Sequence, residues 1–307
     1  MTARQPELLS TPAALRLQSE RWRGAGMLVG LVPTMGALHA GHRALMRRAR
    51  AECDRVVVSI FVNPAQFRPG EDLERYPRPL HADLLVCTEE GVDAAFVPEV
   101  AAVYPPGFTT SVEVAGTLAE TLEGAARPGH FAGVAVVVAK LLAAARPDRA
   151  YFGSKDAQQC AVVRRLNADL DLGAEIVVVP LVRDADGLAL SSRNVYLDAG
   201  EREQALAIPR GLAAATAVVR DGVLDGETVL TAVSRELALS PDLSVEYVAL
   251  VDGDTFAPLT AVTEGARIQV AARIGATRLI DTLNPIKDEP PVVSPRQRAA
   301  TAAVPAG

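Results

Sequence analysis

The chain has 307 residues, of which 49% are hydrophobic and 22% charged, so it can bury a sizeable core in one large domain or two smaller ones. Its formal net charge of −6 argues against a nucleic-acid-binding surface, and no apolar stretch reaches the ~18 residues that a membrane-spanning helix needs. Three cysteines without paired spacing, and an N-terminus without a signal-peptide pattern, lead us to expect reduced thiols in a cytoplasmic protein.

Strand and helix patterns alternate along the first part of the chain. A helix is predicted from Pro12, which follows the N-cap residue Thr11, to about Arg23. Strands are predicted at 27–32, 55–62, 92–97, 150–152 and 176–180, and helices at 41–52, 79–90, 131–145 and 155–169. The alternation predicts an α/β fold, in which a Rossmann-like parallel sheet carries helices on both faces and binds ligands at the carboxyl ends of its strands.

The alternation stops after about Arg183. Two helical patterns and two alternating strand patterns follow, at 199–221 and 227–239 and then at 245–251 and 267–274. They predict a smaller C-terminal α+β domain. We therefore expect a Rossmann-like domain over residues 1–187, the smaller domain over 188–286, and a disordered tail over 287–307, which is rich in proline, alanine and charge.

A glycine-containing loop with two of the chain's four histidines follows the first long strand, with the sequence PTMGALHAGH over residues 33–42. Gly36 and Gly41 allow the backbone to approach a ligand closely, and the next helix directs free N–H groups at the loop. His39 and His42 are three residues apart and can face the same oxygen atoms. The pattern indicates a site for a nucleotide phosphate, although two histidines in a turn can also be structural.

A second polar loop carries Ser191, Ser192 and Arg193 much later in the chain. Its two hydroxyls can donate hydrogen bonds to phosphate oxygens, and its guanidinium can hold a phosphate through two parallel bonds. Alone, such a loop is typical of an ordinary polar turn. An HxGH loop followed by a Ser/Arg loop is the arrangement of the nucleotidyl-transferring α/β enzymes of the HIGH/KMSKS type.

Six sequence blocks place the chain close to one such family. They are VPTMGALHAGH, VVVSIFVNPAQF, EDLERYPR, LEGAARPGHFAGV, RPDRAYFGSKDAQQ and DGLALSSRNVYLD. From about Leu28 to about Asn284 the chain resembles the pantothenate synthetases, which are AMP-forming pantoate–β-alanine ligases. The resemblance implies that the protein activates pantoate with ATP as pantoyl-adenylate, releases pyrophosphate, and then joins the pantoyl group to β-alanine with release of AMP.

The resemblance implies a set of catalytic residues that position the reactants and neutralise phosphate charge: His39, His42, Lys155 and Arg193. Among them His42 is the implied proton donor, and a histidine near neutral pKa can supply a proton or a hydrogen bond. Asp156 fits the ribose hydroxyls. The residues implied to bind ATP are Pro33, Met35, Gly36, His39, His42, Gly153, Lys155, Asp156, Val182, Leu190, Ser191, Ser192 and Arg193.

The amides of Gln66 and Gln159 are implied to hydrogen bond the hydroxyl and carboxylate oxygens of pantoate. Gln159 shares a helix face with the residues three and four positions before it, whereas Gln158 points elsewhere and is expected to be structural. Asn63 could orient its own loop, or it could touch phosphate or β-alanine.

Asp83 is the candidate ligand for Mg²⁺, and Glu71 and Asp72 compete for that role. Glu123, Arg127 and His130 are expected to form a structural or dimer-side ion network. A homodimer is expected from the resemblance.

Three positions depart from the family's usual residues: Ser154 replaces Glu, Ala157 replaces Tyr and Leu190 replaces Met. Two alternatives remain open. The protein could be a nucleotidyltransferase that adenylates a phosphate ester, although such enzymes lack these blocks in combination. It could also be a non-catalytic nucleotide-binding paralogue, although the histidines, Lys155 and the Ser/Arg loop are intact.

Overall fold

A six-stranded parallel sheet forms the centre of the N-terminal part of the molecule, in a computed structural model that describes residues 4–293. Its strands are β1 (Glu7–Leu9), β2 (Val29–Thr34), β3 (Arg55–Ile60), β4 (Ala94–Phe96), β5 (Arg149–Gly153) and β6 (Glu175–Val179). They lie in the order β1-β4-β3-β2-β5-β6, and all their pairings are parallel. The predicted α/β sheet is confirmed, and β1, a three-residue strand at its edge, was not predicted.

Helices cover both faces of this sheet, as predicted. They are α1 (Pro12–Gly24), α2 (Ala40–Glu52), α3 (Leu80–Glu89), α4 (Val100–Val103), α5 (Thr117–Glu120), α6 (Glu123–Ala126), α7 (His130–Ala145) and α8 (Ala157–Asp169). Successive side chains of a strand point to opposite faces, so Val57 packs with α1, α7 and α8, whereas Val56 and Val58 pack with α2 and α3. Each face thereby gains its own apolar core.

The strand order creates a crevice beside the central strand. The chain adds β3 and β4 on one side of β2, and then places β5 and β6 on its other side. Connections on the two sides diverge at such a switch point, which leaves room for a ligand at the carboxyl ends of the two strands. The residues that follow Thr34 and Gly153 therefore face a common space.

The C-terminal part is an α+β layer with its own core, as predicted. It consists of α9 (Ala199–Ala205), α10 (Ala207–Arg220), α11 (Gly226–Leu237), β7 (Leu243–Asp252), β8 (Ala266–Ile274) and β9 (Thr277–Leu283). The three strands are antiparallel in the order β7-β8-β9. Buried residues such as Leu212, Val233 and Ile268 join the helices to the sheet. The boundary at residues 187 and 188 stays a prediction.

Two features of this layer differ from the sequence expectation. The single helix predicted at 199–221 is divided at Leu206, because Pro209 has no N–H with which to continue the helical hydrogen bonding. β9 was not predicted, because Asp281 interrupts its apolar pattern. The Asp281 carboxylate is buried, and it forms a bidentate ion pair with Arg183 (2.6 and 2.9 Å), a residue far away in the chain.

The three cysteines are free and buried, in agreement with the expectation of reduced core thiols. Between residues 4 and 293, no helix is long and apolar enough to cross a membrane.

The predicted disordered tail begins too early in the chain. Pro291 is buried, and Val293 packs against the C-terminal core. The carbonyl oxygen of Val292 lies so close to Gly187 that a Cβ on this glycine would be 2.6 Å from it. The disorder prediction is therefore wrong for residues 287–293, where apolar contacts hold the segment in place. The rest of the tail, residues 294–307, lies outside the described residues.

Two truncations should separate the packed segment from the remainder. Deleting residues 294–307 should leave the melting temperature unchanged. Deleting residues 287–307 should destabilise the protein by about 2 kcal/mol, because Pro291 and Val293 no longer cover the core. Denaturant unfolding of both variants measures the difference, and equal stabilities would show that the 287–293 contacts contribute nothing.

Candidate active site

The crevice at the carboxyl ends of the strands is a cleft of about 230 Å³, which we call the inner cleft. It brings together all but two of the site residues predicted from sequence. These are Pro33, Met35, His39, His42, Asn63, Gln66, Gly153, Lys155, Asp156, Gln159, Val182, Leu190, Ser191, Ser192 and Arg193. Gly36 and Asp83 do not line it. Beside it lies the outer cavity, of about 310 Å³, which shares Lys155, Asp156, Gln159 and Arg193 with the inner cleft.

Asp83 holds the backbone of the loop that carries His39 and His42. Its two carboxylate oxygens accept hydrogen bonds from the backbone N–H groups of Ala37 (3.0 Å) and Leu38 (2.8 Å), and the side chain is buried. Gly36 has a φ of +84°, and a Cβ there would lie 2.9 Å from Asp83 Oδ2. The structure therefore contradicts one prediction, because Asp83 is not placed to hold a metal. Gly36 leaves room for the Asp83 carboxylate, and its contact with a nucleotide stays a prediction.

Backbone amides fix the tautomers of both histidines. The His39 N–H donates to His42 Nδ1 (3.2 Å), and the Gly41 N–H donates to His39 Nδ1 (3.1 Å). Because each Nδ1 accepts a hydrogen bond, the proton of each neutral ring is on Nε2. The two ring centroids are 4.1 Å apart. The loop thus presents two adjacent Nε2–H donors, which suits the oxygens of one phosphate group.

The pKa values keep these rings neutral. Burial lowers the pKa of His42 to about 3, with His39 and Lys155 adding to the effect, and burial and Lys155 lower the pKa of His39 to about 4. In this ligand-free state His42 is thus a hydrogen-bond donor and holds no extra proton. The proton-donor role implied for His42 in the complex with ATP stays a prediction.

A titration can test the neutral state of the histidines. Because the folded-state pKa values lie below the ordinary value of 6.5, the ring signals of His39 and His42 should not shift between pH 5.5 and 8. Proton NMR of the ligand-free protein, with the signals assigned from His39→Gln and His42→Gln variants, makes the measurement. A midpoint between pH 6 and 7 for either ring would contradict the assignment.

The strand-to-helix connection after β5 supplies the cleft's lysine. Gly153 ends β5, a 3₁₀ turn spans Ser154–Asp156, and α8 begins at Ala157. Lys155 is mostly buried, and its Nζ lies 3.7 Å from Asp156 Oδ1. Gln159 follows on α8 and lines both cavities. An ammonium group therefore lies at the carboxyl end of the sheet, where it can neutralise a phosphate.

Gln158 is structural, as predicted. It is buried, and its amide accepts the Glu123 N–H (3.0 Å) and donates to the carbonyls of Leu118 and Thr121 (both 2.9 Å). The Glu123 carboxylate in turn accepts two hydrogen bonds from Arg278 (2.6 and 2.8 Å). This network connects α8 to the C-terminal sheet.

Asn63 orients the turn that carries Gln66. Its Nδ2 donates to Gln66 Oε1 (3.1 Å) and to the Gly133 carbonyl (3.0 Å), and its Oδ1 accepts from Tyr104 Oη (2.8 Å) and the Ala65 N–H (3.3 Å). With donors and acceptor engaged and the side chain buried, Asn63 has no group left for a substrate. Of the alternatives left open by the sequence, these contacts favour the orienting role.

The Ser/Arg loop closes the inner cleft from the C-terminal side. Ser191 Oγ accepts the Arg193 N–H (3.3 Å), and Ser192 Oγ lies 3.2 Å from Tyr76 Oη. The Arg193 guanidinium pairs with both carboxylate oxygens of Asp72 (2.8 and 2.9 Å). Arg193 and Lys155 thus line the same cleft although they come from distant parts of the chain.

Arg127 and His130, expected to belong to a structural or dimer-side ion network, line the inner cleft as well. Sequence reasoning also missed several polar groups of the cleft, among them Tyr76 and Ser59. Tyr76 is a buried phenol that contacts the Ser/Arg loop, and Ser59 is a buried hydroxyl with no hydrogen-bond partner among the described residues. Both lie inside blocks that resemble the family, but nothing local distinguishes them from core residues.

No preformed metal cage accompanies these residues. Within residues 4–293, no group of three or more His, Cys, Asp or Glu side chains is placed to hold a metal ion. The competing candidates Glu71 and Asp72 are each engaged by an arginine. Asp156 lines the inner cleft, and its carboxylate has no arginine partner in the described part of the chain. This donor set suits Mg²⁺ only if the ion is held mainly by phosphate oxygens and water.

Two of the departures from the resemblance pack beside the site. Ser154 is buried at the start of the 3₁₀ turn, and Ala157 packs against Ala161, Val251 and Phe256. Phe256 is fully buried, so an aromatic ring from the C-terminal layer lies next to Ala157. Leu190 lines the inner cleft with an apolar side chain.

Comparison with known proteins gives a consistent result. The family model described as pantoate–β-alanine ligase matches residues 7–284. A bifunctional pantoate ligase/cytidylate kinase from Thermosynechococcus vestitus is 56% identical over 255 residues, which are 82% of this chain and 50% of that protein. The chain thus spans about half the length of this relative.

Two solved structures are also similar. Pantothenate synthetase from Thermus thermophilus is 48% identical and has a TM-score of 0.86, over 91% of this chain and 99% of that one. Pantoate–β-alanine ligase from Francisella tularensis, complexed with β-γ ATP and β-alanine, is 32% identical and has a TM-score of 0.72, over 91% and 98% of the two chains.

Proposed function

The chain belongs to the pantoate–β-alanine ligase family, and from this membership we propose that it condenses pantoate with β-alanine in an ATP-dependent reaction, with pantothenate, AMP and pyrophosphate as products. The observation that carries the proposal is the inner cleft itself. There, the phosphate-directed groups His39, His42, Lys155 and Arg193 face the uncharged amides Gln66 and Gln159. A nucleotide and a small hydroxy acid can therefore lie side by side.

The first step forms an acyl-adenylate. A carboxylate oxygen of pantoate attacks the α-phosphorus of ATP, a phosphorus–oxygen bond forms, and the bond to the β-phosphate oxygen breaks as pyrophosphate leaves. The Nε2–H groups of His39 and His42 donate to the α-phosphate oxygens, while Lys155 and Arg193 neutralise the charge that moves onto the leaving group. None of these side chains has to act as a nucleophile.

The second step transfers the acyl group to the amine. The free amine of β-alanine attacks the carbonyl carbon of the adenylate and a carbon–nitrogen bond forms. The bond between that carbon and the phosphate oxygen breaks as AMP leaves, and the nitrogen releases one proton to solvent. The amides of Gln66 and Gln159 hold the pantoyl part in place between the two steps, so that the same pocket serves both reactions.

The two alternative functions fit the cleft less well. A phosphate ester in the place of pantoate would require free cations, yet Gln66 and Gln159 are uncharged. The nearby Arg127 is already engaged by Glu71, by His130 and by the Gln66 carbonyl. A non-catalytic paralogue would be expected to have lost phosphate-directed groups, yet both histidines retain their donor geometry.

Isotope exchange tests the proposal. The protein should catalyse pantoate-dependent exchange of labelled pyrophosphate into ATP without β-alanine, and should form AMP and pantothenate in equal amounts when β-alanine is added. Exchange that requires a phosphate ester in place of pantoate would support the other nucleotidyltransferase. ATP binding without exchange or product formation would support the non-catalytic paralogue.

Further parts of the proposal concern the metal and the setting. We propose that Mg²⁺ enters with ATP and is held by phosphate oxygens and water, since the cleft supplies few free carboxylates. The reaction is proposed to take place in the cytoplasm.

We also propose a homodimer. The backbone of residues 109–115 makes no hydrogen bond within residues 4–293, while Val112 and Val114 pack on the core. A segment whose backbone groups lack partners offers an edge for pairing with a second copy. Sedimentation analysis at several concentrations tests the dimer.

A further inference from the structure

Two neighbouring carboxylates each hold an arginine in the same way. Glu71 accepts hydrogen bonds from Nε (2.9 Å) and one terminal nitrogen (2.6 Å) of Arg127. Asp72, the next residue, accepts from Nε (2.8 Å) and one terminal nitrogen (2.9 Å) of Arg193. In both pairs the carboxylate occupies the Nε edge of the guanidinium, which leaves the opposite edge for other partners.

Arg127 shows what this opposite edge does. One terminal nitrogen lies 3.1 Å from His130 Nε2, and the other donates to the Gln66 carbonyl (3.2 Å). His130 Nδ1 also lies 2.9 Å from the Gln66 carbonyl. Burial and the Arg127 charge lower the pKa of His130 to about 4, so this ring is neutral and can donate one hydrogen bond to that carbonyl. Glu71 therefore fixes the turn that presents Gln66, by way of Arg127.

Arg193 has the same arrangement with its opposite edge free. Its remaining terminal nitrogen has no hydrogen-bond partner among the described residues, and the side chain lines both cavities. Tyr76, four residues after Asp72, contacts the same loop. Its Oη lies 3.2 Å from Ser192 Oγ, and its ring centroid lies 6.0 Å from the Arg193 guanidinium. Asp72 thus fixes the Arg193 guanidinium, whose unpartnered terminal nitrogen stays available to a ligand in the space shared by the cavities.

We infer that Glu71 and Asp72 form a double clamp, in which adjacent carboxylates orient Arg127 and Arg193 together and so couple the Gln66 turn to the phosphate-directed edge of Arg193. The inference rests on the proposed function, because it assigns the free edge of Arg193 to the leaving pyrophosphate. Glu71 and Asp72 are positioning residues, which act through the arginines and touch neither substrate. The pairing also explains why two carboxylates are placed beside a site for an anion.

A competing interpretation is that Asp72 blocks Arg193 until ATP displaces it. The contacts favour the clamp, because a carboxylate on the Nε edge leaves the terminal edge open to a phosphate. The two interpretations predict opposite effects. If Asp72 is a clamp, its removal weakens use of ATP, whereas if it is a competitor, its removal strengthens ATP binding.

The central experiment compares Asp72→Asn with Glu74→Gln. Glu74 belongs to the same segment, but it is exposed and its carboxylate has no arginine partner among residues 4–293, so its variant is the matched control. Asp72→Asn should slow pantoate-dependent pyrophosphate exchange by about 10–100-fold, by analogy with the loss of groups that orient metal ligands. Glu74→Gln should leave the rate and the melting temperature unchanged, whereas Asp72→Asn weakens a contact between segments 121 residues apart and should melt slightly lower while remaining folded.

A double-mutant cycle separates orientation from general structure. If Asp72 acts only through Arg193, then Asp72→Asn should cause no further loss in an Arg193→Ala background. An additive loss, or tighter ATP binding by Asp72→Asn, would overturn the clamp. Glu71→Gln should raise the KM for pantoate more than the KM for ATP, and equal changes in both would overturn the coupling to Gln66.

The clamp and the proposed function can fail separately. If the parent protein shows no exchange, the proposed function fails, and calorimetric titration of ATP then tests the clamp by comparing the parent with Asp72→Asn. Unchanged or tighter ATP binding by the variant would overturn the clamp, and at least tenfold weaker binding would support it. If the parent exchanges label and Asp72→Asn matches it, the function stands and the clamp fails.

Discussion

Replacing His42 by alanine should slow formation of the acyl-adenylate by about 10²–10³-fold, because the variant loses one fixed hydrogen-bond donor to the α-phosphate. The His39 N–H also loses its acceptor, Nδ1 of His42, at the start of α2. The expected loss of stability is about 1 kcal/mol, as for other helix caps. Activity should therefore fall far more than folding stability.

Lys155→Ala should give a rate loss of the same size for a different reason. Its ammonium group is mostly buried beside the inner cleft, so water screens its charge less than it would at an exposed site. Without it, negative charge on the departing pyrophosphate is no longer neutralised from the β5 side. The melting temperature should change little, because the ion pair of Lys155 with the adjacent Asp156 joins no distant parts of the fold.

Pyrophosphate exchange in the presence of pantoate measures both effects, and thermal melting checks the fold. His81→Ala and Lys287→Ala are matched controls, since neither residue lines the inner cleft or the outer cavity. A His42→Ala protein whose exchange rate stays within a few-fold of the parent would refute the role given to Nε2–H.

Gly133→Ala is the second substitution for which we expect a large effect, on both stability and catalysis. Gly133 lies in α7 where the helix crosses the Pro64–Gln66 turn, and a Cβ there would be 2.1 Å from the Ala65 carbonyl oxygen and 2.6 Å from the Gln66 nitrogen. Both contacts are with backbone, so the turn itself must move. We expect a destabilisation of about 1–3 kcal/mol from overpacking.

The same displacement should disturb catalysis. A misplacement of about 1 Å at a positioning group can cost about 10²-fold in rate, and Gln66 belongs to the turn that moves. The KM for pantoate should rise and the exchange rate should fall. Gly24→Ala is the control, because a Cβ on this helical glycine meets nothing within 4 Å. Parent-like pantoate kinetics in Gly133→Ala would mean that the Gln66 amide does not bind this substrate.

Local patterns were sufficient for the parallel sheet and for the loops that carry the two histidines, Lys155 and the Ser/Arg sequence, whereas the other site residues were implied by the family resemblance. Apolar runs of strand length between helical patterns are set by neighbouring residues, and their alternation leaves few topologies open. The HxGH loop, Lys155 and the Ser/Arg loop each follow a recognisable element, and the carboxyl ends of parallel strands meet at one edge of a sheet. The sequence therefore determined that these groups converge, and the inner cleft confirms it.

Tertiary structure alone decided what each polar group contacts. Asp83 was a reasonable metal ligand by residue type, but the loop folded over it and both oxygens accept backbone N–H groups. Glu71 and Asp72 were equally reasonable metal ligands by residue type. In the folded protein they pair with Arg127 and Arg193, which are 56 and 121 residues away in the chain. These pairings depend on contacts that no local pattern records, since the partner of a charge is chosen by chain segments that meet only after folding. The same holds for residues 287–293, whose composition indicates disorder but whose few apolar side chains pack on the C-terminal core.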